Sequence, residues 1–124
     1  MPMVTRRDIL EKLEAWEAHK LSTVMLHRWV VELLQEPDLD YDDWIGDRQF
    51  SGAREALLEL EMLDMNFVTR DDIPVFVVFL AADQEAFEAA YIRFLKALQD
   101  IDLRERKTAL KDKEPYARHC RGAD

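Results

Sequence analysis

Apolar side chains recur along most of this chain at the three-to-four-residue spacing of an α-helix, and short polar breaks separate the runs. Thr5-Arg6-Arg7-Asp8 has the form of a capping box with Asp in place of Glu, which predicts a helix starting there. Ile9, Leu13 and Trp16 then fall at i, i+4 and i+7, and Leu10 widens the stripe. Ser22 is a favourable N-cap for a second helix running to about Gln35. The apolar positions of that helix, from Val24 to Leu34, wrap far around its circumference and predict a central place in the core. Pro37 enforces a break, because the residue before a proline avoids helical torsions.

Phe50, Ala53, Leu57 and Leu60 share one face of a third helix, capped by Asp47 or Ser51 and ending near Asp64. Gly52 inside it would cost about 1 kcal/mol relative to alanine, so the helix is expected to start after that residue. The run from Ile73 to Leu80 fits either a buried strand or a helix. No second strand-like run exists to pair with it, and a lone strand leaves backbone groups unsatisfied. With Thr69 or Asp72 as N-cap, Pro74 falls in a first turn, where its missing N–H does little harm. A short buried helix is therefore predicted, with a strand as the alternative.

Asp83 is the expected cap of the next helix, whose stripe runs through Phe87, Ala90, Tyr91, Phe94, Leu95, Leu98 and Ile101. Asp102 to Glu105 opens a further short helix. Apolar positions thin out after Leu110, and Pro115 ends the pattern. The pattern predicts an all-α fold: an irregular bundle of five or six helices in one domain over 1–113, with an extended or frayed basic tail over 114–124.

A chain of 124 residues fits one domain. With 26 Asp and Glu against 17 Lys and Arg, the formal charge is −9. That excludes non-specific binding to nucleic acid, where cationic contacts to phosphate supply most of the affinity. The charge is uneven: residues 1–103 carry a balance of −12 and residues 104–124 a balance of +3. Cys120 is the single cysteine, which excludes an intramolecular disulfide and suits a reducing compartment. The N-terminal stretch lacks the apolar run of a secretion signal. The longest apolar run, Ile73 to Ala82, is about half the roughly 20 residues that a membrane-spanning helix needs. The expectation is a cytoplasmic protein without membrane contact.

The densest chemistry lies in Glu36-Pro37-Asp38-Leu39-Asp40-Tyr41-Asp42-Asp43-Trp44-Ile45-Gly46-Asp47, with six carboxylates, no basic residue and two large aromatics. Charges so concentrated call for compensation by solvent, a cation or a basic partner. Counted from Asp38, the segment matches a calcium loop at Asp40, Asp42 and Ile45. It fails where the loop needs glycine, at Asp43, and where it needs a bidentate glutamate, at Gln49. His19, His27 and His119 lack the spacing of zinc or di-iron motifs, and His27 reads as a hydrogen-bonded structural residue. No serine or cysteine sits in a glycine-flanked elbow, and Gly46, Gly52 and Gly122 are too scattered to cradle a phosphate. No catalytic residue, metal ligand or cofactor is assigned.

Tyr and Trp are favoured at interface hot spots, and an acidic rim steers a basic partner. Asp38, Asp40, Tyr41, Asp42, Asp43, Trp44 and Asp47 are therefore the candidate partner-binding residues. The competing expectation is that Trp44 and Ile45 tuck inward and pin the segment to the core. The function this favours is a non-catalytic acidic module, of an inhibitor or immunity type, engaging a basic protein through 36–47. A small helical-bundle enzyme or ligand-binding protein is the alternative. A homo-oligomer joined through the Ile73–Ala82 run is the third reading.

Overall fold

The computed structural model describes residues 2–120 and is mostly helical, as the periodicity predicts. In chain order, β1 (Met3–Val4), α1 (Arg6–Glu17) and α2 (Thr23–Leu34) lead into three two-residue strands. These are β2 (Asp40–Tyr41), β3 (Trp44–Ile45) and β4 (Phe50–Ser51). Then come α3 (Gly52–Glu61), α4 (Leu63–Asn66), α5 (Ile73–Ala81), α6 (Phe87–Gln99), α7 (Leu103–Leu110) and α8 (Ala117–Cys120). Strands were not expected. β1 pairs in parallel with β2, and β3 antiparallel with β4, so all four serve the acidic segment and its neighbours.

Local capping explains where most helices begin. Thr5 Oγ1 accepts from the Asp8 amide at 3.0 Å, and Asp8 Oδ2 accepts from the Thr5 amide at 2.9 Å. Ser22, Ser51 and Asp102 each accept from the amide three residues on, which starts α2, α3 and α7. Thr69 and Asp72 form a second reciprocal box on a 3₁₀ turn that leads into α5, with Pro74 in its first turn. The ambiguous run is thus a helix.

Asp83 does not cap α6. Its carbonyl instead closes a 3₁₀ turn with the Ala86 amide at 3.0 Å, and α6 starts at Phe87 without a side-chain cap. Gly52 is the first residue of α3, where the penalty for an interior glycine does not apply. A Cβ there would lie 2.6 Å from Arg6 Nη2, so the close approach of that guanidinium requires glycine. α3 stops at Glu61, and α4 ends on Phe67 with a left-handed φ of 55°.

The core gathers around α3 and α5 rather than α2. Ala53, Ala56, Leu57 and Leu60 of α3 are fully buried, and the small alanines let neighbouring helices approach. Trp16 and Ile9 of α1 join Phe76 of α5 and Phe94 of α6 in the same interior. Phe79 stacks on Phe94 with centroids 4.3 Å apart, and Phe76 meets the same ring edge-on at 5.1 Å. α2 buries only Leu26 and Val30, while Val24 and Met25 face outward. Its wide apolar set is met by neighbours on one side only.

The C-terminal segment is not extended over 114–120. Tyr116 and Ala117 are buried, and the Tyr116 hydroxyl donates to the Val68 carbonyl. Arg118 Nη2 donates to Asp64 Oδ2 at 3.1 Å, and His119 Nε2 lies 2.9 Å from the same oxygen. Asp64 is only 4% exposed. Burial pushes its carboxyl up, but the hydrogen bonds from His119 and Arg118 outweigh burial and hold it below the usual range. A buried aromatic ring and a buried carboxylate therefore anchor a segment whose sequence carries little apolar periodicity. Residues 121–124 of the expected tail lie outside the described residues. Tyr116→Ala is expected to cost about 3–5 kcal/mol, the usual range for emptying a buried aromatic site. Urea unfolding would check this, a frayed tail giving no change in midpoint.

Candidate functional site

Residues 36–47 leave α2 at a turn closed by Leu39 N–H to Glu36 O at 3.3 Å. The chain then lies along β1: the Asp40 amide donates to Pro2 O at 3.1 Å and the Asp42 amide to Val4 O at 3.4 Å. β3 and β4 form a hairpin whose turn carries positive φ at Gly46 (67°) and Arg48 (59°). Asp47 stands between those two residues, exposed.

Two of the six carboxylates are consumed by the fold. Asp40 Oδ1 accepts from the Tyr41 amide and from Trp44 Nε1, both at 2.9 Å. Arg48 closes on both Asp40 oxygens at 3.1 Å as a fork. The hydrogen bond from Trp44, then that from the Tyr41 amide, holds the Asp40 carboxyl below its ordinary range. Asp43 Oδ2 accepts from Arg6 Nε at 2.7 Å and from the Ala53 amide at 2.9 Å. Its Oδ1 accepts from the Ser51 hydroxyl. Burial pushes Asp43 up, yet the bonds from Ser51, Arg6 and Ala53 together win and lower it. Asp43 thus sits at the positive end of α3 with a guanidinium beside it.

The aromatics divide as well. Tyr41 is 7% exposed, belongs to the core, and meets Trp44 edge-on at 5.7 Å. Burial pushes its phenol up. Its ring is therefore withdrawn from a partner, which corrects the expectation of a contact residue. Trp44 is half-buried, packs on the core, and lies 5.9 Å from the Arg48 guanidinium. The inward placement expected of Trp44 and Ile45 describes Trp44, while Ile45 is half-buried and is not among the residues packed against the core.

What remains on the surface is Asp38, Asp42 and Asp47, with Glu36 beside them. Among the described residues none of these four side chains has a hydrogen-bond or salt-bridge partner. The segment is a braced platform: two carboxylates bind it from beneath, and the others project into solvent. Sequence reasoning missed the bracing. Arg48 lies one residue past the segment and signalled a local partner, whereas Arg6, 37 residues away, gave no signal.

Elsewhere, His27 Nε2 lies 2.8 Å from the Glu61 carbonyl, the hydrogen-bonded structural role expected of it. Among the described residues no three His, Cys, Asp or Glu side chains converge in a metal-holding arrangement. No described helix is long and apolar enough to cross a membrane. A cleft of about 820 Å³ opens between the start of α2, the Thr69–Asp72 turn, the end of α6, and α7. Two of its cations are already occupied. Arg70 Nε donates to Trp16 O at 2.7 Å, and Arg106 Nη2 to Asp72 Oδ1 at 2.9 Å. Comparison of the chain with protein-family models, curated proteins and solved structures yields no match.

Asp43→Ala is expected to lose about 2–4 kcal/mol, because it leaves the part-buried Arg6 guanidinium unpaired. Asp42→Asn should stay within about 0.5 kcal/mol of the parent. The lowered Asp43 carboxyl contributes stability in full above its unfolded value of about 3.9. That contribution disappears as pH falls through the lower folded value. Urea midpoints between pH 2 and 6 should drop more steeply for the parent than for Asp43→Asn.

Proposed function

We propose that this protein is a non-catalytic binding module whose 36–47 segment engages a basic protein, in the manner of an inhibitor or immunity protein. The observation that carries the reading is the set of exposed carboxylates at Asp38, Asp42 and Asp47, without partners among the described residues, on a segment braced by Asp40 and Asp43. A pre-organised loop loses little freedom on binding, so more of its contact energy reaches the complex. The formal charge of −9 adds long-range attraction that speeds encounter with a cationic surface. Asp40, Asp43 and Tyr41 act in this reading as the support of the binding surface, and Trp44 as its half-buried floor.

A second reading is favoured by the cleft of about 820 Å³, a volume within the range of small-molecule sites. In that reading the protein is a ligand-binding bundle, with Ser22, Thr23 and Thr69 at the lining, each hydroxyl oxygen already accepting one bond within the fold and keeping its O–H to donate.

The test of the protein-binding reading compares the parent with Asp38→Asn/Asp42→Asn/Asp47→Asn as bait in lysate of the native host, followed by kinetics on the purified retained protein. The expected result is a basic protein whose association with the variant is slower by about tenfold at low salt. The difference should shrink as salt shortens the screening length. A retained protein that associates equally fast with both baits, or no basic protein retained at all, would refute the reading.

A further inference from the structure

We propose that the cleft between α3 and the C-terminal end of α6 is a binding site for a small primary amine carried on an apolar body. The cleft holds about 260 Å³. Leu95, Leu98 and Ile101 line it from α6 and the turn that follows, and each is only half-buried by the protein itself. Leu103, at the start of α7, is 50% exposed at its margin. Polar residues enter the lining at three places: Glu59, Asn66 and Gln99.

Glu59 decides the ligand's charge. It is half-buried on α3, one turn beyond Glu55. Glu55 is already served by Arg54 at 3.1 Å and by the Tyr91 hydroxyl at 2.9 Å. Among the described residues no donor or cation reaches the Glu59 carboxyl. Burial, then the charge of Glu55, pushes Glu59 above the usual carboxylate range. The phenol of Tyr91 is pushed up to about 12, first by burial and then by its bond to Glu55, so it stays a donor committed to Glu55. The fold thus keeps an uncompensated carboxylate against an apolar wall, at a cost to its own stability.

An ammonium group resolves that arrangement. Its charge meets the Glu59 carboxylate, Asn66 and Gln99 offer polar groups on the same lining, and the hydrocarbon covers the leucines. An anion would place a third negative charge beside Glu55 and Glu59. A neutral ligand would remove Glu59 from water without replacing that solvation. Cavities of about 150 Å³ hold benzene in other proteins, so this cleft is large enough for a phenyl ring with a two-carbon amine chain. The site shares no residue with 36–47 and is independent of the protein-binding reading.

The test is an amide NMR titration of the full chain with 2-phenylethylamine, against 2-phenylethanol and 3-phenylpropionate as neutral and anionic comparators. The amine should give saturable shifts centred on Glu59, Asn66, Val68 and residues 95–103, with affinity at least about tenfold above that of the alcohol. The carboxylate should not bind. Glu59→Gln, which removes the charge while keeping the shape, should reduce the amine's affinity to that of the alcohol, with a melting temperature no lower than the parent's. Glu14→Gln, at an exposed position on α1, should bind the amine as the parent does. Equal affinity for amine and alcohol, an unchanged amine affinity in Glu59→Gln, or shifts scattered over the acidic surface would overturn the proposal.

Discussion

The guanidinium of Arg6 ties together four parts of the chain by directed hydrogen bonds. Its Nε donates to Asp43, and its Nη1 donates to the carbonyls of Leu80 and Ala82, both at 2.9 Å. Those carbonyls belong to the end of α5, where a helix has no partners of its own for its last acceptors. Asp43 passes the connection on to Ser51 and to the first turn of α3. The start of α1, the acidic segment, the start of α3 and the end of α5 therefore share one network. A lysine could supply the charge but not the fork of directed donors, and any residue larger than glycine at position 52 would displace the guanidinium.

The same device recurs where other helices end. Arg70 supplies donors to Trp16 O and Leu21 O after α1. Arg106 bridges α7 to Asp72 and to the Phe67 carbonyl, and the bond it donates to Asp72 raises its already high basicity. Arg118 reaches back from α8 to Asp64. In each case a cation neutralises an inward carboxylate or adds donors to carbonyls near a helix end. This consumption of arginine has a functional consequence. Arg6, Arg70, Arg106 and Arg118 are committed to internal bonds, and with a formal net charge of −9 the field presented to solvent is negative. Asp38, Asp42 and Asp47 stand in that field on a segment that the Arg6 network holds still.

The acidic segment shows how much of a site can be read before the fold is known. Its charge density, its aromatics and its position between helices were visible as a run of residue types. Its division into braces and exposed groups was not. Asp42 and Asp43 are neighbours of the same type, yet one faces solvent and the other is bonded to Arg6 and Ser51. Strand alternation beside β3 and the distant arginine separate them. Glu59 was equally silent, because an unpartnered half-buried carboxyl is defined by what surrounds it rather than by its place in a pattern.

Most interactions that span three or four residues could be read from the sequence alone. The capping box at Thr5, the caps at Ser22 and Asp102, the place of Pro74 in a first turn, and the helical stripes of α1, α3 and α6 are all of this kind, whereas the cap of α3 stayed open between Asp47 and Ser51 and the cap expected at Asp83 is not made. Their physics is local, since both partners lie within one turn of the backbone. The tertiary structure decided what local physics leaves open: that α3 and α5 take the centre instead of α2, and that Tyr116 carries the C-terminal segment into the core. It also decided which carboxylates are neutralised. Asp43 finds its cation 37 residues away and Asp64 finds Arg118 at a separation of 54. Only the folding of the chain brings such groups within the few ångströms over which a hydrogen bond forms.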